Sequence, residues 1–320
     1  VGSEMCIRDS RRAKQLDARG TRIRHKIGVI LGKLLLIGII VGGCATVSFG
    51  VGALKGILAS APDISEVDVI PTGYSTKVLA ADGSETAKLV AAGSNRQYVT
   101  IDQIPENLQH AVVAIEDERF YDHNGIDLKG IVRALVADVR TRDFSQGAST
   151  LTQQLIKNNV LSEQWANEND SNISKIEKME RQVQRKIQEQ YLAIELEKKV
   201  NDKNWILENY LNSINLGSNT LGVQAAAQRY FGKDVSKLTL SECAVIAGIT
   251  KNPAGYNPIL HPKENAKRRK NVLDAMKKQG YISQKQYDKA MADDVYGRIS
   301  EHNDAVSYTH LRAHETCADL

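Results

Sequence analysis

An uncharged stretch of 21 residues constrains this chain more than any other feature. It runs from Leu34 to Leu54, between Lys33 and Lys55. A helix of that length reaches about 30 Å, the thickness of the hydrocarbon core of a bilayer. The preceding residues 11–33 contain eight Lys and Arg side chains and one Asp. Because basic flanks favour the cytoplasmic side, we expect a cytoplasmic segment at 11–33, a single-pass transmembrane helix at 34–54 and the remaining chain outside the cell membrane.

A cleaved signal peptide is the alternative explanation of this stretch. Its small residues and the run Ala59-Ser-Ala61 are compatible with a cleavage site. The apolar core of a signal peptide, however, spans only about 7–15 residues. The length of the uncharged stretch therefore favours an anchor that stays in the membrane.

The two ends of the chain resemble translated adapters from sequencing libraries. This resemblance concerns residues 1–10 and 306–320, for which genuine tails are the alternative. We expect residues 296–305 to be a truncated continuation of the gene product. Cys44 and Cys243 are then the remaining cysteines, too few for a disulfide framework or a cysteine-based metal site. The modest formal net charge of +4 indicates no nucleic-acid partner.

Turn residues and short apolar runs characterise residues 55–100. The pair Asp82-Gly83 and two prolines punctuate them, which predicts a linker with short strands at 77–80 and 96–100. From Ile101 apolar residues recur at helical spacing, so a mainly α domain is predicted over 101–295. The predicted helices are 104–115, 126–139, 149–160, 174–199, 203–214, 221–230, 241–249, 262–279 and 283–291.

An acidic cluster follows the first of these helices. It reads Glu116-Asp-Glu-Arg-Phe-Tyr-Asp-His-Asn-Gly125, and on a continuing helix Glu116, Phe120 and His123 share one side. A carboxylate among apolar neighbours has its charged form disfavoured, which suits it to general-base work. Acidic clusters are more often solvated surfaces, so the residue pattern alone leaves both interpretations open.

A Gly followed by Ser and Thr marks the start of the third predicted helix. Ser149 or Thr150 is the predicted N-cap, with Gln153 as a capping-box partner. Free N–H groups at a helix start can bind anions, and Gln154 and Lys157 lie three residues apart on one face. A well-capped helix without a ligand explains most of the same residues.

A charged stripe lies on the fourth predicted helix. Arg181, Arg185 and Glu189 recur every four residues, with Lys186 one step around the helix. Such a stripe is usually a surface of ion pairs, each worth a few tenths of a kcal/mol, and spacing alone favours this interpretation. The alternative is an anion site, because three cations around one carboxylate leave positive charge in excess, which suits a pyrophosphate.

Together these segments resemble the peptidoglycan glycosyltransferases of family 51, found in class A penicillin-binding proteins and monofunctional transglycosylases. The resemblance covers residues 101–291, where five motifs occur in the expected order. One such motif would be weak, but five in order are strong. The motifs are Glu116-Asp-x-x-Phe120-x-x-His123-x-Gly125, Gly147-x-Ser149-Thr150-x-x-Gln153-Gln154, Arg185-Lys186-x-x-Glu189-x-x-x-Ala193, Lys203-x-x-Ile206-Leu207-x-x-Tyr210-Leu211-Asn212 and Arg268-Arg269-x-x-Val272-Leu273.

The resemblance implies a lysozyme-like, two-lobed helical domain and a reaction. In that reaction a base takes a proton from the 4-hydroxyl of the acceptor's N-acetylglucosamine. The freed oxygen attacks the anomeric carbon of N-acetylmuramic acid in the growing chain, and undecaprenyl pyrophosphate leaves. The implied partners are lipid II, the nascent glycan strand, the cytoplasmic membrane and cell-wall synthesis proteins.

The resemblance also implies residue roles. Glu116 is the implied base and Asp117 supports it, while Glu189 completes the catalytic group. No cofactor is required, although Glu189 could position Mg²⁺ or Mn²⁺. The implied substrate-binding residues are Lys157, Arg181, Lys186, Arg185, Gln153, Gln154, Ser149, Thr150 and Phe120. The implied structural residues are His123, Tyr210, Asn212, Arg268 and Arg269.

Two stretches depart from the family pattern. Residues 162–181 are longer than expected between the second and third motifs, and residues 213–222 lack the aromatic, Gly-rich form. The transpeptidase signatures Ser-x-x-Lys and Lys-Thr-Gly do not occur. We expect a bifunctional protein that has been truncated, rather than a monofunctional one.

Two other functions stay in competition. A lysozyme-like hydrolase or lytic transglycosylase shares the α fold and a lone catalytic Glu. Its leaving group is a sugar, so it has no need of a basic cluster at Lys157, Arg181 and Lys186. A non-catalytic membrane scaffold would tolerate a change at Glu116, and Glu116 is intact.

Overall fold

The uncharged stretch forms part of one long helix in the computed structural model of the chain. Helix α1 runs from Gly2 to Ala59, and its segment Lys26–Ala59 is long and apolar enough to cross a membrane. Every side chain from Leu34 to Leu54 is exposed. The predicted apolar helix ahead of the helical domain is therefore confirmed, and it continues beyond Leu54.

The structure describes residues 2–64, 69–71, 76–83, 85–89, 96–141, 149–162, 164–165, 173–218 and 220–299. The chain divides into two units, Val1–Ser60 and Ala61–Leu320. We call the second one the helical unit. The predicted adapter at 306–320, most of the predicted continuation before it and Gly147 of the second motif lie outside the described residues.

The helical unit begins with a small hairpin. Strand β1 (Thr76–Leu79) pairs antiparallel with β2 (Glu85–Leu89). Gly83 lies in the connecting turn with a φ of 82°, a conformation that glycine adopts without strain. The predicted strand at 77–80 and the predicted turn are thus confirmed.

The second predicted strand, 96–100, is not a strand of this sheet. Its backbone is held instead by an amide side chain: Asn212 accepts from Val99 N (3.0 Å) and donates to Val99 O (2.8 Å). The side chain of Asn212 thus satisfies the two backbone groups that a neighbouring strand would otherwise satisfy. The prediction was wrong because alternation cannot distinguish a paired strand from an extended segment bound by a helix.

Nine helices of four residues or more build the remainder of the described helical unit. Each begins and ends within two residues of the ends of a predicted helix. The prediction of a mainly α domain is therefore confirmed. The helices are α2 (Glu106–Glu116), α3 (Leu128–Thr141), α4 (Leu151–Asn159), α5 (Lys175–Val200), α6 (Lys203–Ser213), α7 (Val223–Phe231), α8 (Leu240–Ile249), α9 (Pro262–Lys278) and α10 (Gln284–Ala292).

Local signals in the sequence end one helix and start the next. Helix α5 ends at Asn201, which takes the left-handed conformation (φ 48°) that Asn tolerates better than most residues. The next residue, Asp202, caps α6 by accepting from the backbone N–H groups of Asn204 and Trp205. Two consecutive residues therefore make the corner between α5 and α6.

Helix α8 is the centre of the core. Every residue from Ser241 to Ile249 is buried, and α8 packs against both α2 and α9. Helix α4 packs against α5 and α6 in the same unit. These two groups of helices supply the walls of the site described below.

The loop after α2 approaches α5 closely. Gly125 has a φ of 86°, and a Cβ added to it would lie 2.6 Å from the backbone C and O of Ala193. The carbonyl of Gly125 also accepts a hydrogen bond from the Thr150 hydroxyl (2.7 Å). Only glycine allows this contact between the loop and the two helices.

We therefore expect Gly125→Ala to lower the free energy of unfolding by about 3 kcal/mol, from backbone strain and from overlap with Ala193. Gly280→Ala is the matched control. Gly280 has a φ of 82° but nothing within 4 Å of an added Cβ, so its cost is about 1 kcal/mol of strain alone. Urea unfolding measures the free energy of unfolding of both variants. Equal losses of stability would show that the close contact of Gly125 with Ala193 does not constrain the fold.

Candidate functional site

A cavity of about 850 Å³ lies where α2, α4, α5, α6, α8 and α9 meet. Polar side chains dominate its wall, and several come from the motifs found in the sequence. The lining residues are Ile115, Glu116, Ser149, Gln154, Lys157, Asn158, Arg185, Lys186, Glu189, Tyr210, Ile214, Asn215, Thr250, Lys251, Pro253 and Arg268.

Glu116 is the last residue of α2, and its carboxylate is surrounded by donors. Oε1 accepts from the Thr250 hydroxyl (2.7 Å) and lies 3.4 Å from Arg268 Nη2, while Oε2 accepts from Gln154 Nε2 (3.3 Å). The side chain is 13% exposed. The apolar surroundings predicted for Glu116 are thus wrong, because three different helices or their ends aim polar groups at it. It remains an accessible carboxylate in a cavity.

A buried tyrosine orients the amide of Gln154. The Tyr210 hydroxyl donates to Gln154 Oε1 (3.1 Å), which leaves the amide nitrogen facing Glu116. Burial raises the pKa of Tyr210 well above its ordinary value, and the charges of Glu116 and Asp117 raise it further. Tyr210 therefore keeps its proton and stays a donor.

Asp117 holds the ends of two helices together and does not contact Glu116 through its side chain. Its carboxylate lies 3.0 Å from His123 Nε2 and accepts from the backbone N–H of Leu151 (2.9 Å) at the start of α4. Asp117 and His123 are 6% and 8% exposed. Asp117 therefore links the end of α2 to the start of α4, directly beside Glu116.

A second carboxylate, Glu189, is enclosed by cations on α5. Its oxygens pair with Arg185 and with Lys186 Nζ (2.9 Å), and its side chain is 2% exposed. Lys186 also donates to the Ser149 hydroxyl (2.6 Å). One buried carboxylate thus fixes the positions of two cations that line the cavity.

Positive charge is in excess at the cavity wall. Among the described residues, five basic side chains and two carboxylates line it. Lys157 and Lys251 add exposed ammonium groups to the cations held by Glu189. Such a surface attracts an anionic ligand, most strongly one with several negative oxygens.

Three predicted substrate contacts lie in the interior instead. Phe120 is 0% exposed, with Lys203 Nζ 4.6 Å from its ring centroid; Thr150 and Gln153 are each 1% exposed. Thr150 caps α4 by accepting from the backbone N–H of Gln153, but the Gln153 side chain has no partner among the described residues and forms no capping box. These three predictions are corrected. The end of α2 at Glu116 turns Phe120 into the core, while Thr150 and Gln153 are buried at the start of α4.

Arg181 is also misplaced by the sequence pattern. Its guanidinium pairs with Glu177 (3.0 Å) one turn earlier on α5, and it does not line the cavity. The stripe Arg181, Arg185 and Glu189 is therefore split. Its first part is a surface ion pair and its second part belongs to the site.

Sequence reasoning missed seven of the lining residues, Thr250 and Lys251 among them, and misjudged two more. Thr250 and Lys251 follow helix α8, which is buried from Ser241 to Ile249, and no motif or polar pattern in the sequence marks them as site residues. Tyr210 and Arg268 lie in recognised motifs but were predicted to be structural. Arg269 agrees with that prediction, since it donates to the Ser241 hydroxyl (2.9 Å) and to Ala290 O inside the fold.

The residues do not fit a protein-bound divalent cation. Such ions prefer several free oxygen ligands, but both oxygens of Glu189 are engaged with Arg185 and Lys186. Within the described ranges, no group of three or more His, Cys, Asp or Glu side chains could hold a metal ion. In this arrangement Glu189 orients cations.

Comparisons with known proteins agree on one family. A family model described as Transglycosylase matches residues 82–277. The chain is 39% identical over 252 residues to penicillin-binding protein 1A of Clostridium novyi (strain NT), covering 76% of this chain and 28% of that protein. It is 40% identical over 258 residues to penicillin-binding protein 1A/1B of Bacillus subtilis (strain 168), covering 80% and 25%.

A solved structure gives a weaker match. The crystal structure of penicillin-binding protein 1A from Haemophilus influenzae is 24% identical and has a TM-score of 0.41, covering 78% of this chain and 25% of that one. The chain spans about a quarter of the length of these proteins.

Anion binding tests the split of the charged stripe. We expect Lys186→Ala to weaken the binding of inorganic pyrophosphate about tenfold, because it removes a cation from the wall and leaves Glu189 less neutralised. Arg181→Ala is the matched control and should leave the affinity unchanged. Isothermal titration calorimetry at fixed ionic strength measures both affinities. An equal loss of affinity in the two variants would show that Arg181 does contribute to the site.

Proposed function

Because the chain belongs to the transglycosylase family, we propose that it polymerises lipid II into β-1,4-linked glycan strands and releases undecaprenyl pyrophosphate. The observation that carries this proposal is one cavity with a carboxylate among donors, Glu116, and a separate set of cations fixed by Glu189. A base and a site for an anionic leaving group are the two elements that such a transfer needs.

The family prediction made from the five motifs is confirmed, since the matched residues 82–277 include the motif residues. A glycosyltransferase domain of the kind found in class A penicillin-binding proteins is confirmed with it. The substrate, the roles of single residues and the membrane topology are our proposals.

In the proposed reaction Glu116 acts as the base. It takes the proton of the acceptor's 4-hydroxyl as that oxygen forms a bond to the anomeric carbon of the donor sugar. The bond from this carbon to the pyrophosphate oxygen breaks, and the pyrophosphate keeps the electron pair. Attack on the face away from the leaving group inverts the centre from α to β, as in inverting glycosidases.

The cations of α5 stabilise the departing pyrophosphate. Arg185 and Lys186 are already held by Glu189, so little ordering is needed when the leaving group gains charge. Ser149 and Lys157 line the same wall and supply further donors. A hydrolase that releases a neutral sugar would gain nothing from this cluster, which favours the polymerase over the lysozyme-like alternative.

The apolar helix supports a location at the cytoplasmic membrane. Its segment Lys26–Ala59 has the length and composition of a span, and the basic residues before it favour an N-terminus in the cytoplasm. Lipid II carries an undecaprenyl tail, so an enzyme tethered to the same bilayer meets it at raised effective concentration. We propose the nascent glycan and other cell-wall synthesis proteins as further partners.

Polymerisation of labelled lipid II by the detergent-solubilised chain tests the proposal. We expect glycan from the wild type and a loss of at least about 100-fold in Glu116→Gln, which keeps the size of the side chain but cannot take the proton. Cleavage of finished glycan without polymerisation would establish the hydrolase instead. Equal activity of the two forms would remove Glu116 as the base.

Two buried tyrosines provide a matched test of the amide that faces Glu116. Tyr210 donates to Gln154, and Tyr230 donates to the backbone O of Leu216 (2.6 Å). Each Tyr→Phe change removes one buried hydrogen bond, which costs about 1 kcal/mol of stability or somewhat more. We expect only Tyr210→Phe to slow polymerisation, by about tenfold, because Gln154 loses its orientation. Equal rates in both variants would contradict this role of Tyr210.

A further inference from the structure

The hydroxyl of Thr250 lies within reach of two acceptors. It is 2.7 Å from Glu116 Oε1 and 2.9 Å from the backbone O of Ala247. A threonine hydroxyl has one proton, so it serves one acceptor at a time. Ala247 belongs to the last turn of α8, where carbonyl groups lack a partner within the helix. Both acceptors therefore compete for the same proton.

The fold brings Thr250 to Glu116 by rigid packing. Thr250 directly follows α8, whose residues are buried from Ser241 to Ile249, and α8 packs against α2 and α9. Glu116 ends α2, and Arg268 comes from α9. Because both acceptors already lie within hydrogen-bond distance of the Thr250 hydroxyl, rotation of its O–H bond is enough to exchange them.

The two oxygens of Glu116 are not equivalent. Oε1 has Thr250 at 2.7 Å and Arg268 at 3.4 Å, whereas Oε2 has Gln154 Nε2 at 3.3 Å as its partner among the described residues. A carboxylate oxygen offers two lone-pair sites. Oε2 thus has a lone-pair site without a partner among the described residues, and Oε1 is the anchored atom.

We infer that Thr250 is a positioning residue for Glu116, and that its hydroxyl turns from Oε1 to Ala247 O when Glu116 takes up a proton at Oε2. This inference rests on the proposed function. While Glu116 is ionised, its charge makes Oε1 the stronger acceptor. When the acceptor's 4-hydroxyl gives its proton to Oε2, the carboxyl becomes neutral and the carbonyl of Ala247 competes on equal terms. The sugar oxygen forms its bond to the anomeric carbon, and the pyrophosphate leaves with the electron pair.

Thr250 is not the sole polar influence on Glu116, since other charged or titratable groups line the same cavity or adjoin it. They come from the elements that surround Glu116, and their charges also affect its protonation. These groups are Asp117 next in the chain, Lys157 on α4, Arg185, Lys186 and Glu189 on α5, Tyr210 on α6, Lys251 after α8 and Arg268 on α9.

The test compares Thr250→Val with Thr250→Ser in lipid II polymerisation across pH. Valine keeps the shape without the hydroxyl, and serine keeps the hydroxyl without the methyl group. We expect Thr250→Val to lower kcat about tenfold with little change in KM, because Glu116 is no longer held in the orientation that meets the acceptor's 4-hydroxyl. Since a hydrogen bond to the ionised form favours that form, its loss should also move the acidic limb of the kcat profile to higher pH. Thr250→Ser should stay within about twofold of wild type, since it keeps that bond.

Thr152→Val is the matched control for loss of a Thr–Glu bond elsewhere. The Thr152 hydroxyl donates to Glu197 Oε1 (2.6 Å), and Thr152 is fully buried. At a temperature where every variant is folded, this control should keep the wild-type kcat and pH profile. A shifted profile in Thr152→Val as well would mean that the shift reports general destabilisation and would overturn the inference.

The remaining outcomes separate this inference from the proposed function. An active wild type whose Thr250→Val variant keeps its rate and pH profile overturns the role of Thr250 alone. Serine and valine variants that are equally impaired would assign the effect to the methyl group and also overturn it. A wild type that makes no polymer, assayed beside Glu116→Gln, overturns the proposed function and this inference together.

Discussion

The carboxylate of Asp117 joins the end of one helix to the start of another, and the cavity depends on this joint. Asp117 follows Glu116 directly, and it accepts from the backbone N–H of Leu151 while contacting His123. A carboxylate at a helix start is stabilised by the free N–H groups and the helix dipole. Because Gln154 lies one turn after Leu151, the joint sets the distance between the Gln154 amide and Glu116.

Two glutamates in one cavity differ through their surroundings. Glu116 meets an amide, a hydroxyl and a guanidinium at 3.4 Å, and its side chain is 13% exposed. Glu189 is almost fully buried, and both its oxygens are paired with cations. A buried carboxylate is tolerated only with such partners. The first arrangement leaves a group free to take a proton, and the second uses the carboxylate to hold positive charge in place.

The sequence was sufficient for most helices and for the main residues of the site. Periodicity located each helix within two residues, and the motif residues Glu116, Gln154, Lys186 and Glu189 all line the cavity. The helix predictions succeeded because apolar spacing and capping act locally, whereas the four motif residues came from the family resemblance.

The wrong predictions concern features that depend on the tertiary structure and not on neighbouring residues in the sequence. Placing Phe120 on one side with Glu116 assumed a continuing helix, but Asp117 leaves the helical region with a φ of −152°. Arg181 follows the spacing of Arg185, yet it faces Glu177 on the surface, and spacing on a helix cannot tell which part of a stripe is covered. Thr250 could not be found, because its partner Glu116 lies 134 positions away in the chain.

Helix α6 contacts residues 98–101 with one face and the surroundings of Glu116 with the other. Glu208 and Asn212 lie one turn apart and bind residues 98–101: Glu208 accepts from Ile101 N (2.6 Å), and Asn212 pairs with the backbone of Val99. Tyr210 is two residues from each, which places it roughly 200° around the helix. Binding the segment on one face therefore presents the Tyr210 hydroxyl on the other, toward Gln154. One orientation of α6 about its axis satisfies the contacts on both faces. The position of residues 98–101 and the orientation of the Gln154 amide beside Glu116 are therefore linked.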